Sequence, residues 1–328
     1  YEEKKWANAV ILTSNEKEYQ NNEVIPEDNI ESYFVWIPKY RYQLWDLGNY
    51  AGLTKVDTSK IHEIPVIFGD YNTTDSVSGE CTTPMTSGNI GNCEEGDYMT
   101  HPAFLSIPSN GFWVGKFETS KSNSNSDNSI NPTGVQIKPN VSSWRNIQAG
   151  NAFYTSYEYK RDLDSHMMKN TEWGAVAYLQ HSAYGSGTSV RINNNSDFIT
   201  GYASTKEPTC GYTHSNIDCN KYGTTSDITQ PYNTEIGVLA STTGNITGIY
   251  DMSGGAWEYV MGVMADQNGN LLSGRNATYN SGFAGNYGEG GFLDSEYKWP
   301  EEKYYDKYLY GTTYTEYTRK ILGDATGE

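Results

Sequence analysis

Gly248-Ile249-Tyr250-Asp251-Met252-Ser253-Gly254-Gly255-Ala256-Trp257-Glu258-Tyr259-Val260-Met261-Gly262 sets glycines, aromatic side chains and two acids into one short run. Glycines permit tight backbone turns, and Trp257 is expected to fill a core pocket that its small neighbours leave open. Asp251 and Glu258 are the hard-oxygen side chains of the run. With backbone carbonyls they form a candidate calcium site, since that ion takes roughly six to eight oxygens. Structural necessity accounts for most of the rest, with Tyr250, Gly254 and Trp257 read as parts of a framework.

Working outward, Gly111-Phe112-Trp113-Val114-Gly115-Lys116-Phe117-Glu118-Thr119 reads as a strand. Asn170-Thr171-Glu172-Trp173-Gly174-Ala175-Val176-Ala177-Tyr178-Leu179 opens on a capping residue and an early acid. Met168, Ala175, Val176, Leu179 and Ala183 recur at helical spacing, and Gly185 is the expected stop. A shorter helix is expected from Asn151 as cap through Phe153, Tyr157 and Arg161, with Tyr154 on its buried side. Tyr33 to Tyr42 is β-rich, and Pro38 is expected to demote one half to an edge or bulge. Ile61 to Phe68 supplies a further strand, Gly69 to Thr100 a long stapled loop, and Ser120 to Gly134 a solvent loop. Residues 1–30 read as a polar lead-in. After Ser186 the pattern is loops, short strands and turns, with no further regular helix and no internal repeat.

Composition bounds the partners. Only 36% of the 328 residues are hydrophobic, yet 28 are tyrosine, so Tyr and Trp must supply much of the packing and also reach the surface. Surfaces rich in Tyr, Ser and Asn suit recognition, because Tyr offers contact area at low entropy cost. A formal charge of −17 argues against nucleic acid, which needs clustered Lys and Arg. No stretch approaches the roughly 20 apolar residues of a membrane span. The four cysteines fall as Cys81 with Cys93 and Cys210 with Cys219. Two local disulfides are the simplest of the three formal pairings and imply an oxidising compartment. Zinc is the competing reading, opposed by the lack of a C-x-x-C spacing and by His214 as the only nearby imidazole. His166 precedes the main helix and reads as a structural histidine, with no partner acid or Cys at a recognisable spacing. His62, His101, His181 and His214 are scattered, and no Gly-x-Ser-x-Gly elbow appears.

The strand motif Trp113-Val114-Gly115-Lys116-Phe117-Glu118, the helix motif Glu172-Trp173 and the run Tyr250 to Tyr259 resemble the formylglycine-generating-enzyme-like (sulfatase-modifying-factor) branch of the C-type-lectin fold. The resemblance implies an α+β domain with two helices flanking small antiparallel sheets, and long loops carrying the binding face. Its signature positions here are Trp113, Lys116, Glu118, Glu172, Trp173, Tyr250, Gly254 and Trp257. Two departures matter. Gly255 stands where the family pattern usually has Asn, a potential ligand, which weakens the calcium reading. No cysteine follows Cys219 and no Arg-Gly-Gly block precedes the end, so the family's copper and thiol chemistry cannot be assembled at its expected positions.

A wider set of phrases resembles gut-bacterial and prophage surface proteins related to the variable proteins of diversity-generating retroelements: Lys5 to Val10, Val35 to Pro38, Thr100 to Phe104, Ile137 to Val141, His166 to Asn170 and Gly323 to Thr326. Such proteins display a hypervariable ligand-binding patch near the C-terminus, and some carry a pilin-like anchor. The expectation is therefore a lectin-like domain over residues 31–328, with an anchor ahead of Tyr1 and a variable segment beyond Glu328. The implied function is extracellular, non-enzymatic binding or adhesion at a cell or virion surface. The ligand is a protein or glycan, and no cofactor is required. A self-assembling pilus or virion subunit is the alternative, and a formylglycine-type oxidase the third reading.

Overall fold

The computed structural model describes residues 1–13, 18–45, 63–69, 93–106, 110–123, 125–206, 211–213, 216–218, 228–265, 268, 301–309 and 323. In chain order the elements begin with strands β1 (Asn8–Leu12), β2 (Ile30–Pro38), β3 (Tyr40–Gln43), β4 (Val66–Phe68), β5 (Tyr98–Thr100) and β6 (Gly111–Gly115). Strands β7 (Ser120–Lys121) and β8 (Val135–Gln136) and helices α1 (Ala149–Tyr159) and α2 (Asn170–Gln180) follow. Short pairs complete the order: β9 (Ala203–Ser204), β10 (Gly211–Thr213), β11 (Asn216–Asp218), β12 (Thr229–Gln230), β13 (Gly262–Ala265) and β14 (Asp306–Leu309). The described residues form an α+β arrangement of two helices and small, mostly antiparallel sheets; β13 and β14 pair in parallel.

Pro38 divides the strand block without demoting either half. β2 is the middle strand of the antiparallel sheet β1-β2-β6, and β3 is the middle strand of β4-β3-β5. Proline cannot continue a ladder as a donor, so it sits as the last residue of β2, opposite Gly111. The chain changes sheet across Lys39. Val35, Ile37, Tyr40 and Tyr42 are all fully buried, so both sheets serve one core. Helix α2 closes it with Ala175, Val176 and Leu179, each fully buried. The Tyr40 hydroxyl donates to the Ala175 carbonyl at 2.7 Å, and Tyr42 meets Tyr178 edge to face.

Several boundaries differ from those read in the sequence. Residues 1–30 are no lead-in, because β1 pairs antiparallel with β2 and Trp6 is buried. The Trp6 indole donates to the Tyr184 carbonyl at 2.9 Å, and its backbone N–H donates to Thr247 Oγ1 at 3.0 Å. Those two anchors lie far along the chain, beyond the reach of local periodicity. Helix α1 starts before Asn151, whose side-chain amide donates to the Asn128 carbonyl at 2.7 Å instead of capping, and Arg161 lies past its end. Asn170 is the first helical residue of α2, following Lys169. Ala183 is exposed because the helix ends at Gln180, and Gly185 packs against the Gln180 carbonyl, where a Cβ would come within 2.3 Å. The stretch from Ser120 to Gly134 begins with β7, paired to β8, and ends in a 3-10 turn, so it is not a free loop. Ile61, His62 and most of the stapled loop lie outside the described residues.

Trp6→Ala is expected to lower unfolding free energy by about 3–5 kcal/mol in urea denaturation, through the cavity and the lost indole hydrogen bond. A loss below about 1 kcal/mol would show that β1 is a dispensable appendage.

Candidate functional site

The signature run enters the core and then leaves it. The Tyr250 ring stacks on Phe117, with centroids 5.2 Å apart at 24°, and its hydroxyl donates to the Tyr232 carbonyl at 3.0 Å. Tyr250 N–H donates to the Lys116 carbonyl at 2.9 Å, which fastens the run to the chain just beyond β6. Asp251 adopts a left-handed backbone (φ 63°), a conformation Asp tolerates better than most residues. Its buried carboxylate accepts from Asn193 Nδ2 at 2.8 Å, Gly201 N–H at 2.8 and 3.0 Å, and Glu118 N–H at 3.3 Å.

This geometry bears directly on the calcium reading. A carboxylate offers about four lone-pair sites, and N–H donors take them here. A cation at Asp251 would have to displace those donors. Among the described residues no cluster of three or more His, Cys, Asp or Glu side chains is arranged to hold a metal ion.

Glu118 explains the departure at Gly255. Its Oε2 accepts from the Ser143 hydroxyl and from Ala256 N–H at 3.2 Å. Gly255 has φ +77°, and a Cβ there would lie 2.3 Å from Glu118 Oε1, so no larger side chain fits without moving the buried acid. Burial, followed by the charges of Asp251 and Glu258, pushes the Glu118 carboxyl up to about 9. It is therefore neutral at pH 7. Among the described residues Oε1 has no hydrogen-bond partner, whereas Oε2 lies against both Ser143 and Ala256 N–H. Burial also pushes Asp251 up to about 6, against the pull of its donors. Glu258 is an exposed residue whose carboxyl nonetheless abuts protein, accepting from Trp173 Nε1 at 3.3 Å. Desolvation and the Asp251 charge push it up to about 7.

Beyond Gly255 the chain turns outward. Trp257 is 101% exposed, which overturns its expected place in a core pocket. The physical reason lies in the turn: Gly254 and Gly255 both have positive φ, and Glu118 already occupies the inner side, so Ala256 to Tyr259 runs along the surface. Tyr259 is exposed as well. Trp113 is half exposed and packs across strands on Trp36, with centroids 5.2 Å apart.

Lys116 points inward. Its Nζ donates to Asn8 Oδ1 and to the Ile246 carbonyl, both at 2.6 Å, and burial lowers its basicity to about 8. It joins β1, the residues after β6 and the loop before the signature. Glu172 is also buried and internal, accepting from Lys169 N–H at 2.8 Å at the mouth of α2 and from His166 Nε2 at 3.1 Å. His166 thus has an acid partner that spacing did not reveal, because the chain bends at the helix start between them. Burial alone would lower His166; the Glu172 charge outweighs it and raises the imidazole. For Glu172 the balance runs the other way: burial raises it, and His166 and Lys169 bring it below the usual carboxylate range.

Asn193, Gly201, Ser143 and Asp306 complete this framework and were not singled out by sequence. Asp306 accepts from Thr171 N–H at 2.7 Å and Thr171 Oγ1 at 3.0 Å, capping α2 from 135 residues downstream. His101 is a fully buried, neutral histidine among Tyr40, Tyr42, Phe104 and Tyr178, pushed down to about 3 by burial. His181 is lowered by burial too, while His62 and His214 lie outside the described residues. Cys93 is disulfide-bonded; Cys81, Cys210 and Cys219 lie outside the described residues. No protein-family model matches the chain, and no curated protein matches its sequence.

The raised acids fix the sign of a pH dependence. Folding holds on Glu118 a proton that the unfolded chain releases above about 4.5, so this contribution to stability declines as pH rises from about 4.5 towards about 9. Glu118→Gln, which keeps a donor at this position, is expected to flatten that decline in urea titrations at a series of pH values. An unchanged slope would place the proton elsewhere. Glu172→Gln is expected to cost about 1–3 kcal/mol, because the Lys169 N–H and His166 lose a charged acceptor in a buried site.

Proposed function

We propose that the chain is an extracellular ligand-binding or adhesion protein, built on a C-type-lectin-like domain of the formylglycine-generating-enzyme-like branch and acting without catalytic chemistry. The single observation that carries the reading is the outward turn of the signature run. The same fifteen-residue stretch that locks Tyr250 and Asp251 into the core delivers a fully exposed Trp257 and an exposed Tyr259 to the surface. Exposed Trp and Tyr on a fixed turn supply contact area at low entropic cost and are favoured anchors of recognition surfaces. The polar signature residues support the reading from the other side. Lys116, Glu118 and Glu172 are buried and committed to holding backbone and side chains together.

The bonded Cys93 fits an oxidising compartment. Among the described residues no helix is long and apolar enough to cross a membrane. Recognition by aromatic side chains needs no calcium, and the ligand class is a protein or a glycan.

The test pairs a double variant with defined probes. Labelled protein applied to a glycan array and to a displayed peptide library is expected to give selective binding. Trp257→Ala with Tyr259→Ala is expected to weaken it by at least about tenfold, with unfolding free energy within about 0.5 kcal/mol of the parent. Undiminished binding by the double variant would remove the proposed face. Conversion of a cysteine-containing peptide to formylglycine when copper is supplied would overturn the non-catalytic reading.

A further inference from the structure

Lys116 is an anomaly in this chain. Lysines are seldom buried unless an acid pairs with them, yet Lys116 is 6% exposed and, among the described residues, no carboxylate accepts from it. The acceptors of its Nζ there are two neutral oxygens, Asn8 Oδ1 and the Ile246 carbonyl, each at 2.6 Å. An ammonium has three N–H donors, whereas a neutral amine has two and a lone pair, so two acceptors satisfy the neutral form in full. Burial favours the same form, pushing the amine down to about 8.

The neighbouring amide is held in one orientation. Asn8 Nδ2 donates to the Trp6 carbonyl at 3.0 Å and to the Thr247 carbonyl at 2.7 Å, and those two acceptors require the NH2 end on their side. Oδ1 is thereby turned towards Lys116. The amide carbon lies one C=O bond, about 1.2 Å, beyond Oδ1, so Nζ is within about 3.8 Å of it. Reacting atoms poised for attack stand roughly 3–3.5 Å apart, so the lysine has only to give up its bond to Oδ1 and turn its lone pair on the carbon.

We propose that Lys116 and Asn8 condense into an intramolecular isopeptide bond, a covalent staple between the residue after β6 and the first residue of β1. The Nζ lone pair attacks Asn8 Cγ, one Nζ proton passes to Nδ2, and the Cγ–Nδ2 bond breaks. A primary amine and a primary amide become a secondary amide and ammonia, with no change of oxidation state. Asn8 is exposed, so ammonia escapes to solvent and its dilution draws the reaction forward. Among the described residues no acid touches the pair, so the proton travels directly or through water and the bond forms slowly compared with folding. β1 and β6 flank β2 in one sheet, so the staple ties the two outer strands across the middle one. The site does not depend on the function proposed above.

Intact-mass measurement of the whole chain, reduced and aged at about pH 9 where the amine is free, is expected to show the loss of one ammonia from the sequence mass. Tandem spectra of a tryptic digest are expected to join the fragment containing Asn8 to one that runs uncleaved through Lys116. Ageing at about pH 6 is expected to form the bond at least about tenfold more slowly, following the fraction of free amine. Asn8→Ala removes the acyl carbon at an exposed position and is expected to keep its full mass, to be cleaved after Lys116 and to melt below the aged parent. Lys116→Arg is expected to keep its full mass as well. An unchanged mass in the aged parent overturns the proposal. So does ammonia loss without the joined fragment, or ammonia loss that persists in Lys116→Arg, because either marks cyclisation of an asparagine on its own backbone.

Discussion

The Asp251 carboxylate is the constraint on which the rest of the structure hangs. It is a buried anion, and burial of an unpaired charge is among the costliest events in folding. Three N–H donors offset that cost, drawn from separate segments at Asn193, Gly201 and Glu118, with the Gly201 N–H shared between both carboxylate oxygens. Because the acceptor cannot be left unsatisfied, those segments must converge wherever Asp251 goes. The left-handed turn at Asp251 and the two glycine turns after it follow from the same requirement. They bring the chain into the cradle and out again within five residues, from Asp251 to Gly255.

A second economy is visible in how the chain replaces aliphatic packing. With few aliphatic residues available, the cores are assembled from rings whose polar tips reach backbone carbonyls: Tyr40 to Ala175, Tyr250 to Tyr232, Trp6 to Tyr184. Each ring therefore fixes a distance and a direction as well as filling volume. Gly255 belongs to the same logic, since the volume a side chain would take there is held by the Glu118 carboxyl.

Much of this was legible in residues 170–180 and 111–115, where local periodicity and β-branched or aromatic content decide the element and tertiary contacts merely confirm it. The turn at Gly254 was legible for a similar reason, because a backbone with positive φ leaves few other residues that fit it. Trp257 was misread because hydrophobicity does not say which side of a turn a side chain takes. That choice was made by Glu118, a residue 139 positions earlier. The lead-in was misread because Asn8–Leu12 is too short for its alternation to register, and its evidence lies in partners such as Thr247. Asp306 capping α2 and Glu172 meeting His166 are likewise products of the fold's own path, invisible to spacing rules that assume a continuous helix or strand.

The anchoring of Trp6 has a consequence for how the chain reaches this state. Its partner Thr247 lies 241 residues further along, so the surroundings of β1 are completed only when a much later segment has joined it. Contacts of such sequence separation require closure of a long loop before they contribute, which slows folding and leaves β1 and the apolar edge of β2 uncovered in the interval. Closure of the Trp6 clasp therefore waits on synthesis of the chain through Thr247.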